Sequence, residues 1–204
     1  MTSSSSASST QPRRAAVLGS PIAHSLSPVL HNAGYAAAGL DNWEYTRIEC
    51  TAERLPEVVA GAGEEYRGFS VTMPCKFAAL EFASEATERA RAIGSANTLT
   101  RTQSGWRADN TDCEGLLAAL DELTRGESIT SAVIVGAGGT SRPAMWALRE
   151  LGAQEVTVVN RSDRSREFAG LTEGMDVRFT DYDAFGGTPF YDYRYDSFGV
   201  EGLP

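Results

Sequence analysis

The chain has 204 residues, 42% of them apolar, enough to enclose one large hydrophobic core or two small ones. Its 27 acidic and 18 basic residues leave a formal charge of −9, which argues against nucleic acid and anionic membrane as partners. The three cysteines, Cys50, Cys75 and Cys113, are odd in number and widely spaced, so no disulfide framework and no metal are expected, and the setting reads as reducing and cytoplasmic.

The opening MTSSSSASST has no apolar centre, and residues 1–12 read as a disordered tail. From Arg13 onward short apolar runs alternate with helical periodicity, the pattern of an α/β fold. AAVLG at 15–19 predicts a buried strand. The following SPIAHSLSPVLHN at 20–32 holds both histidines, His24 and His31. Ser27 is the expected cap of a helix with Pro28 at its first position, Val29, Leu30, Ala33 and Ala37 its buried face, and Gly39 its stop. His24 and His31 are expected to hold this loop and helix by hydrogen bonds.

WEYTRIE at 43–49 and GFSVT at 68–72 predict two more strands. Helices are expected near 74–82 and 85–92, with Ser84 capping the second and Gly94 ending it. TLTRTQSGWRADN reads as a hairpin turning at Ser104 and Gly105, and 111–123 as a helix capped by Thr111. A strand at 132–136, a helix near 140–151 and a strand at 155–159 begin a second unit; beyond them no period is legible. The resulting division is a tail (1–12), a substrate-binding catalytic unit (13–112), a connecting helix (113–126) and a dinucleotide-binding unit (127–204).

VIVGAGGTSR places Gly136-x-Gly138-x-x-Ser141 between an apolar strand and a helix. Gly136 permits the tight turn, and Gly138 lets a pyrophosphate approach the backbone at the helix N-terminus. The turn Gly136, Ala137, Gly138, Gly139 and Thr140 is therefore a candidate cofactor loop. At the end of the next strand stand Asn160, Arg161 and Ser162, with no carboxylate. An arginine there suits a ribose 2′-phosphate, so NADP is favoured over NAD.

In the first unit, polar groups cluster where strands end or helices begin: Ser25 and Ser27, Thr72 and Lys76, Asn97, and Asp112. Hydroxyls, an amide and a carboxylate at strand ends suit a polyhydroxylated substrate. Lys76 and Asp112 form the pair able to move a proton, the lysine donating to an alkoxide as hydride reaches a carbonyl carbon.

GSPIAHSLSPVLHN, GFSVTMPCK, IGSANTL, DNTDCEGL, VGAGGTSR and VNRS together resemble the shikimate dehydrogenase family, in order and spacing, over about 15–166. The resemblance implies an N-terminal α/β substrate domain with a mainly parallel sheet, then a Rossmann-like NADP-binding domain. It implies reduction of 3-dehydroshikimate to shikimate, with Ser25 and Ser27 on the substrate carboxylate. Thr72, Lys76, Asn97 and Asp112 would meet the ring hydroxyls and reacting oxygen, and Glu88 would lie near the cofactor. The Ser-x-Ser of SLS resembles shikimate rather than quinate enzymes. Family members continue through further strands to a helix that supplies a glutamine to the substrate. No counterpart follows Ala184, since Gln11, Gln103 and Gln154 all lie elsewhere. The expectation is a C-terminally truncated chain, monomeric or homodimeric, with a non-catalytic shikimate-binding remnant and a quinate/NAD enzyme as alternatives.

Overall fold

The computed structural model describes residues 11–185. The expected tail, apart from Gln11 and Pro12, and the segment from 186 onward lie outside the described residues. Strand β1 (Arg13–Gly19) lies between two parallel neighbours, β2 (Trp43–Glu49) and β3 (Tyr66–Val71). That central place explains its unbroken apolar run, because both of its faces are covered. Ala16 and Leu18 enter one core cluster with Leu55 and Val59, while Ala15 and Val17 enter another with Ile22 and Tyr45.

Helix α1 (Ser27–Ala37) follows β1, and α2 (Leu55–Ala60) follows β2. Beyond β3 come α3 (Lys76–Phe82), the short β4 (Glu85–Ala86) and α4 (Glu88–Ile93). Then β5 (Thr98–Arg101) and β6 (Trp106–Asp109) form the expected hairpin, Gly105 having φ 138°. The sheet order is β2-β1-β3-β5-β6-β4, and only the β3/β5 and β5/β6 pairs are antiparallel. Phe69 and Trp106, ring centroids 5.2 Å apart, anchor the main cluster under α2 and α3.

Helix α5 (Asp112–Thr124) leads to a second sheet of β7 (Ser131–Val135), β8 (Glu155–Val159) and β9 (Asp176–Thr180), all parallel in that order. Helix α6 (Ser141–Glu150) links β7 to β8. Met145 and Leu148 of α6 pack with Cys113, Ile134, Val156, Val158 and Phe168, and Ile93 of α4 joins the same cluster. On the opposite face of β7, Val133 and Val135 are half exposed. All three cysteines are free and buried. Among the described residues no helix is long and apolar enough to cross a membrane, and no cluster of His, Cys, Asp and Glu could hold a metal ion.

Four expectations need correction. Ser27 does not cap α1: the cap position is Leu26, and Ser27 is the first helical residue. The expected buried face is open, with Val29 61% and Leu30 69% exposed and only Pro28 buried. The helix instead turns its polar side to the sheet. Asn32 Nδ2 donates to Tyr45 O at 2.9 Å, its Oδ1 accepts from Tyr45 N at 2.8 Å, and His31 stacks on the Tyr45 ring at 4.0 Å. The second helix near 85 starts only at Glu88, because Thr87 Oγ1, not Ser84, accepts from Ala90 N. Ser84 pairs with the Trp106 backbone. Finally, β9 was not foreseen; its DVRFT alternates, but polar Asp176 and Arg178 dilute the apolar signal.

Candidate functional site

One end of the first sheet gathers the predicted polar residues. The chain leaves β1, β3 and β6 and enters β5 at this end, so four loops meet there. Backbone bonds lock them together. Thr72 N donates to Leu18 O at 2.9 Å, Ser20 N to Met73 O at 3.1 Å, Val71 N to Asn97 O at 2.7 Å, and Ala96 N to Lys76 O at 2.9 Å. Glycine is required at the end of β1, since a Cβ on Gly19 would lie 2.5 Å from Thr72 Cγ2.

At the centre Lys76 Nζ donates to Asp112 Oδ2 at 2.5 Å, and their side chains are 17% and 31% exposed. Asn97 Nδ2 donates to the other oxygen, Asp112 Oδ1, at 2.8 Å, and its Oδ1 accepts from Thr111 N at 3.0 Å. The carboxylate is thus held on both sides, and Lys76 keeps two ammonium protons for other acceptors. Lys76, Asn97 and Asp112, from three separate segments, thus meet at one point. Ser25 and Ser27 bond one another at 3.2 Å in the loop after β1, and Thr72 lies half-buried after β3. His31 Nδ1 bonds Ser27 O at 2.8 Å, as expected of a structural histidine; His24 shows no hydrogen bond among the described residues.

Beneath the pair lies support that sequence reasoning missed. Asn110, fully buried, donates to Ser95 O at 3.1 Å and to Ser95 Oγ at 3.2 Å, and its Oδ1 accepts from Asp112 N at 3.1 Å. Buried amides persist only when bonded in this way. Asp109 receives a bidentate Arg89, at 2.7 and 2.6 Å, together with Thr87 Oγ1 at 2.7 Å. The Arg89 guanidinium holds the Asp109 carboxyl down at about 2, against burial. The DNTD string offered a signal: a carboxylate and amide just before a helix commonly organise its first turn.

The glycine turn follows β7. Gly136 has φ 96°, a left-handed conformation that disfavours side chains, and no heavy atom lies within 4 Å of a Cβ placed at Gly136 or Gly138. Ser141 Oγ closes the turn on Gly138 O at 2.5 Å. A Cβ placed on Gly139 would lie 4.0 Å from Lys76 Cδ, so the turn runs near the Lys76 side chain. Asn160, Arg161 and Ser162 line a cavity of about 520 Å³ at the ends of β8 and β9. Asn160 Nδ2 braces that loop on Ser162 O at 2.8 Å. Asp163 and Asp181 share the cavity; Asp163 Oδ1 accepts from Ser165 N at 2.8 Å and Asp181 Oδ1 from Ala184 N at 2.7 Å. Arg161 shows no hydrogen bond or ion pair among the described residues, which leaves its charge for an anion. Glycine turn, open backbone and unspent arginine fit a phosphorylated dinucleotide. Glu88 is exposed and lines a cavity with Glu85, Arg89, Arg107 and Asp109.

A mostly parallel sheet with a polar shelf at its strand ends, followed by a strand, glycine turn and helix of a second parallel sheet, defines a two-sheet α/β protein. The family model described as shikimate dehydrogenase substrate binding domain matches residues 17–99. A shikimate dehydrogenase (NADP(+)) of Microcystis aeruginosa is 42% identical over 149 residues, 72% of this chain and 52% of that protein. The crystal structure of Mycobacterium tuberculosis shikimate dehydrogenase aligns with TM-score 0.74 and 50% identity, covering 85% of this chain and 65% of the other. That of Thermus thermophilus shikimate 5-dehydrogenase, in complex with NADP(H) and shikimate, aligns with TM-score 0.68 and 34% identity, covering 82% and 62%. The chain belongs to the shikimate dehydrogenase family. It spans about half the length of the curated relatives it matches.

Proposed function

We propose that this chain binds shikimate and NADP and interconverts shikimate and 3-dehydroshikimate. The observation that carries this reading is the Lys76–Asp112 contact of 2.5 Å, braced by Asn97, with the glycine turn near the Lys76 side chain. We further read 13–112 as the substrate-binding unit, 113–126 as the connector and the chain from 127 as the dinucleotide unit.

NADPH, when bound, supplies the hydride that reaches the ring carbonyl carbon. Lys76 then gives a proton to the carbonyl oxygen, which becomes the new hydroxyl. Asp112 holds the lysine in position, and Asn97 fixes the carboxylate. In the reverse direction Lys76 accepts the hydroxyl proton. Ser25 and Ser27 would bond the substrate carboxylate, and Thr72 a ring hydroxyl. Gly136, Ala137, Gly138, Gly139 and Thr140 would hold the pyrophosphate, and Asn160, Arg161 and Ser162 the ribose phosphate.

The test is NADPH absorbance with purified chain, shikimate and NADP+, with Lys76→Ala alongside. Turnover in the parent that falls about 10²–10⁴-fold in the variant supports the reading. A variant as fast as the parent overturns Lys76 as the proton carrier. A second reading, shikimate binding without turnover, is favoured by the three-stranded second sheet, whose β7 has a single partner strand among the described residues. Saturable shikimate binding with no rate would select it.

A further inference from the structure

Arg142 stands in the first turn of α6, and its side chain is only 10% exposed. Three other segments share its guanidinium. Nη1 donates to Ile93 O at the carboxyl end of α4 at 3.2 Å, Nη2 donates to Glu167 Oε2 at 2.7 Å, and the group lies 4.8 Å from the Phe77 ring centroid. Gly94 leaves room for it, since a Cβ there would come within 3.0 Å of Nη1.

Two of these contacts lead to the Lys76–Asp112 pair. Phe77 follows Lys76 in α3. Ile93 precedes the 94–97 segment, in which Ala96 N donates to Lys76 O at 2.9 Å and Asn97 holds Asp112 at 2.8 Å. Glu167 leads the other way. It also accepts from Arg164 Nε at 2.6 Å and Nη2 at 2.7 Å, while Arg164 Nη1 donates to Ala137 O in the glycine turn at 2.8 Å. The two arginines lower the Glu167 carboxyl from its ordinary value, Arg164 more strongly. One carboxylate therefore gathers two guanidiniums. One grips the glycine turn, the other the platform under Lys76 and Asp112.

We propose that Arg142 and Glu167 are positioning residues that set the spacing between the glycine turn and the Lys76–Asp112 pair, so that binding at either place strengthens binding at the other. This rests on the dinucleotide and shikimate reading above. Arginine is needed because its planar fork bonds in two directions while its face lies on a ring; a lysine ammonium cannot do all three. Coupling between two ligands is reciprocal, so either ligand can report it.

The experiment titrates the full chain with shikimate, alone and at saturating NADP+, and repeats this with NADP+ as the varied ligand. Tryptophan fluorescence follows binding. The parent is expected to bind shikimate at least about fivefold more tightly with NADP+ present, and NADP+ more tightly with shikimate by the same factor. Arg142→Lys should keep each single-ligand affinity within about threefold while the coupling factor falls below about two. Arg142→Met/Glu167→Gln removes both charges together, which avoids stranding a buried one, and should show the same loss with a cooperative melt. Parent-like coupling in both variants overturns the proposal, as does a parent that binds both ligands independently. Loss of single-ligand affinity in step with loss of coupling also overturns it, since it marks a structural role only. A parent that binds neither ligand overturns the functional reading itself.

Discussion

Asp112 has two oxygens and two different partners, Lys76 Nζ on one and Asn97 Nδ2 on the other. Asp112→Asn keeps the shape but removes the charge that holds the ammonium. Turnover is expected to fall about 100-fold or more while shikimate affinity changes less than about tenfold. A parallel collapse of affinity and rate would make Asp112 a binding group instead. Asp109 makes a different kind of prediction. Its carboxyl is held at about 2, from an ordinary 3.8, chiefly by Arg89. A depressed carboxylate stabilises the fold above its unfolded value near 4, and that contribution is lost as the pH falls through about 4 towards 2. Asp109→Asn should therefore cost about 2 kcal/mol at pH 7 and much less at pH 2.5. Urea midpoints at the two pH values measure it, and equal losses at both would discount the ion pair.

Helix α1 shows where sequence periodicity misleads. Val29, Leu30, Ala33 and Ala37 recur at helical spacing, yet none of them is buried. The helix covers the outer edge of β2, and Asn32 supplies the backbone partners that a neighbouring strand would have given Tyr45. Leu30→Lys should accordingly change stability by less than about 0.5 kcal/mol, whereas Asn32→Ala should cost about 1–3 kcal/mol by stranding the Tyr45 peptide groups. The reverse order in thermal melts would restore the apolar stripe as core. Strands β1, β2, β8 and the β5–β6 hairpin were legible because their patterns are strong and local. The elements from α3 to α4 were displaced because Ser84 and Thr87 are equally good caps on paper, and a cross-strand bond to Trp106 takes Ser84 away. Lys76 and Asp112 were legible as motif residues. Asn110 with Ser95, and Arg142 with Glu167, were not, because their partners are 15 and 25 residues away and only folding brings them together. One clue existed: Arg142 shares a helical face with buried Met145 and Leu148.

The molecule as a whole has its strongest packing in the first sheet, where β1 is covered on both faces. The second sheet has its core on the α5–α6 side, with Val133 and Val135 half exposed on the other face of β7. Parallel strands depend on cover from both sides, so the second sheet should open more easily. Amide hydrogen exchange should therefore protect 16–18 and 69–71 at least about tenfold better than 132–135. Equal protection would mean that the Ile93 and Arg142 contacts fuse the two cores into one cooperative unit. The buried cysteines sit so as to report this independently. Cys50 and Cys75 belong to the first core and Cys113 to the second, and burial pushes Cys75 up to about 12 and Cys113 up to about 11. At neutral pH such thiols present almost no thiolate to a reagent until the surrounding core parts. A brief alkylating pulse thus stamps each half of the protein with its own opening time, and the native chain carries both clocks without an added label.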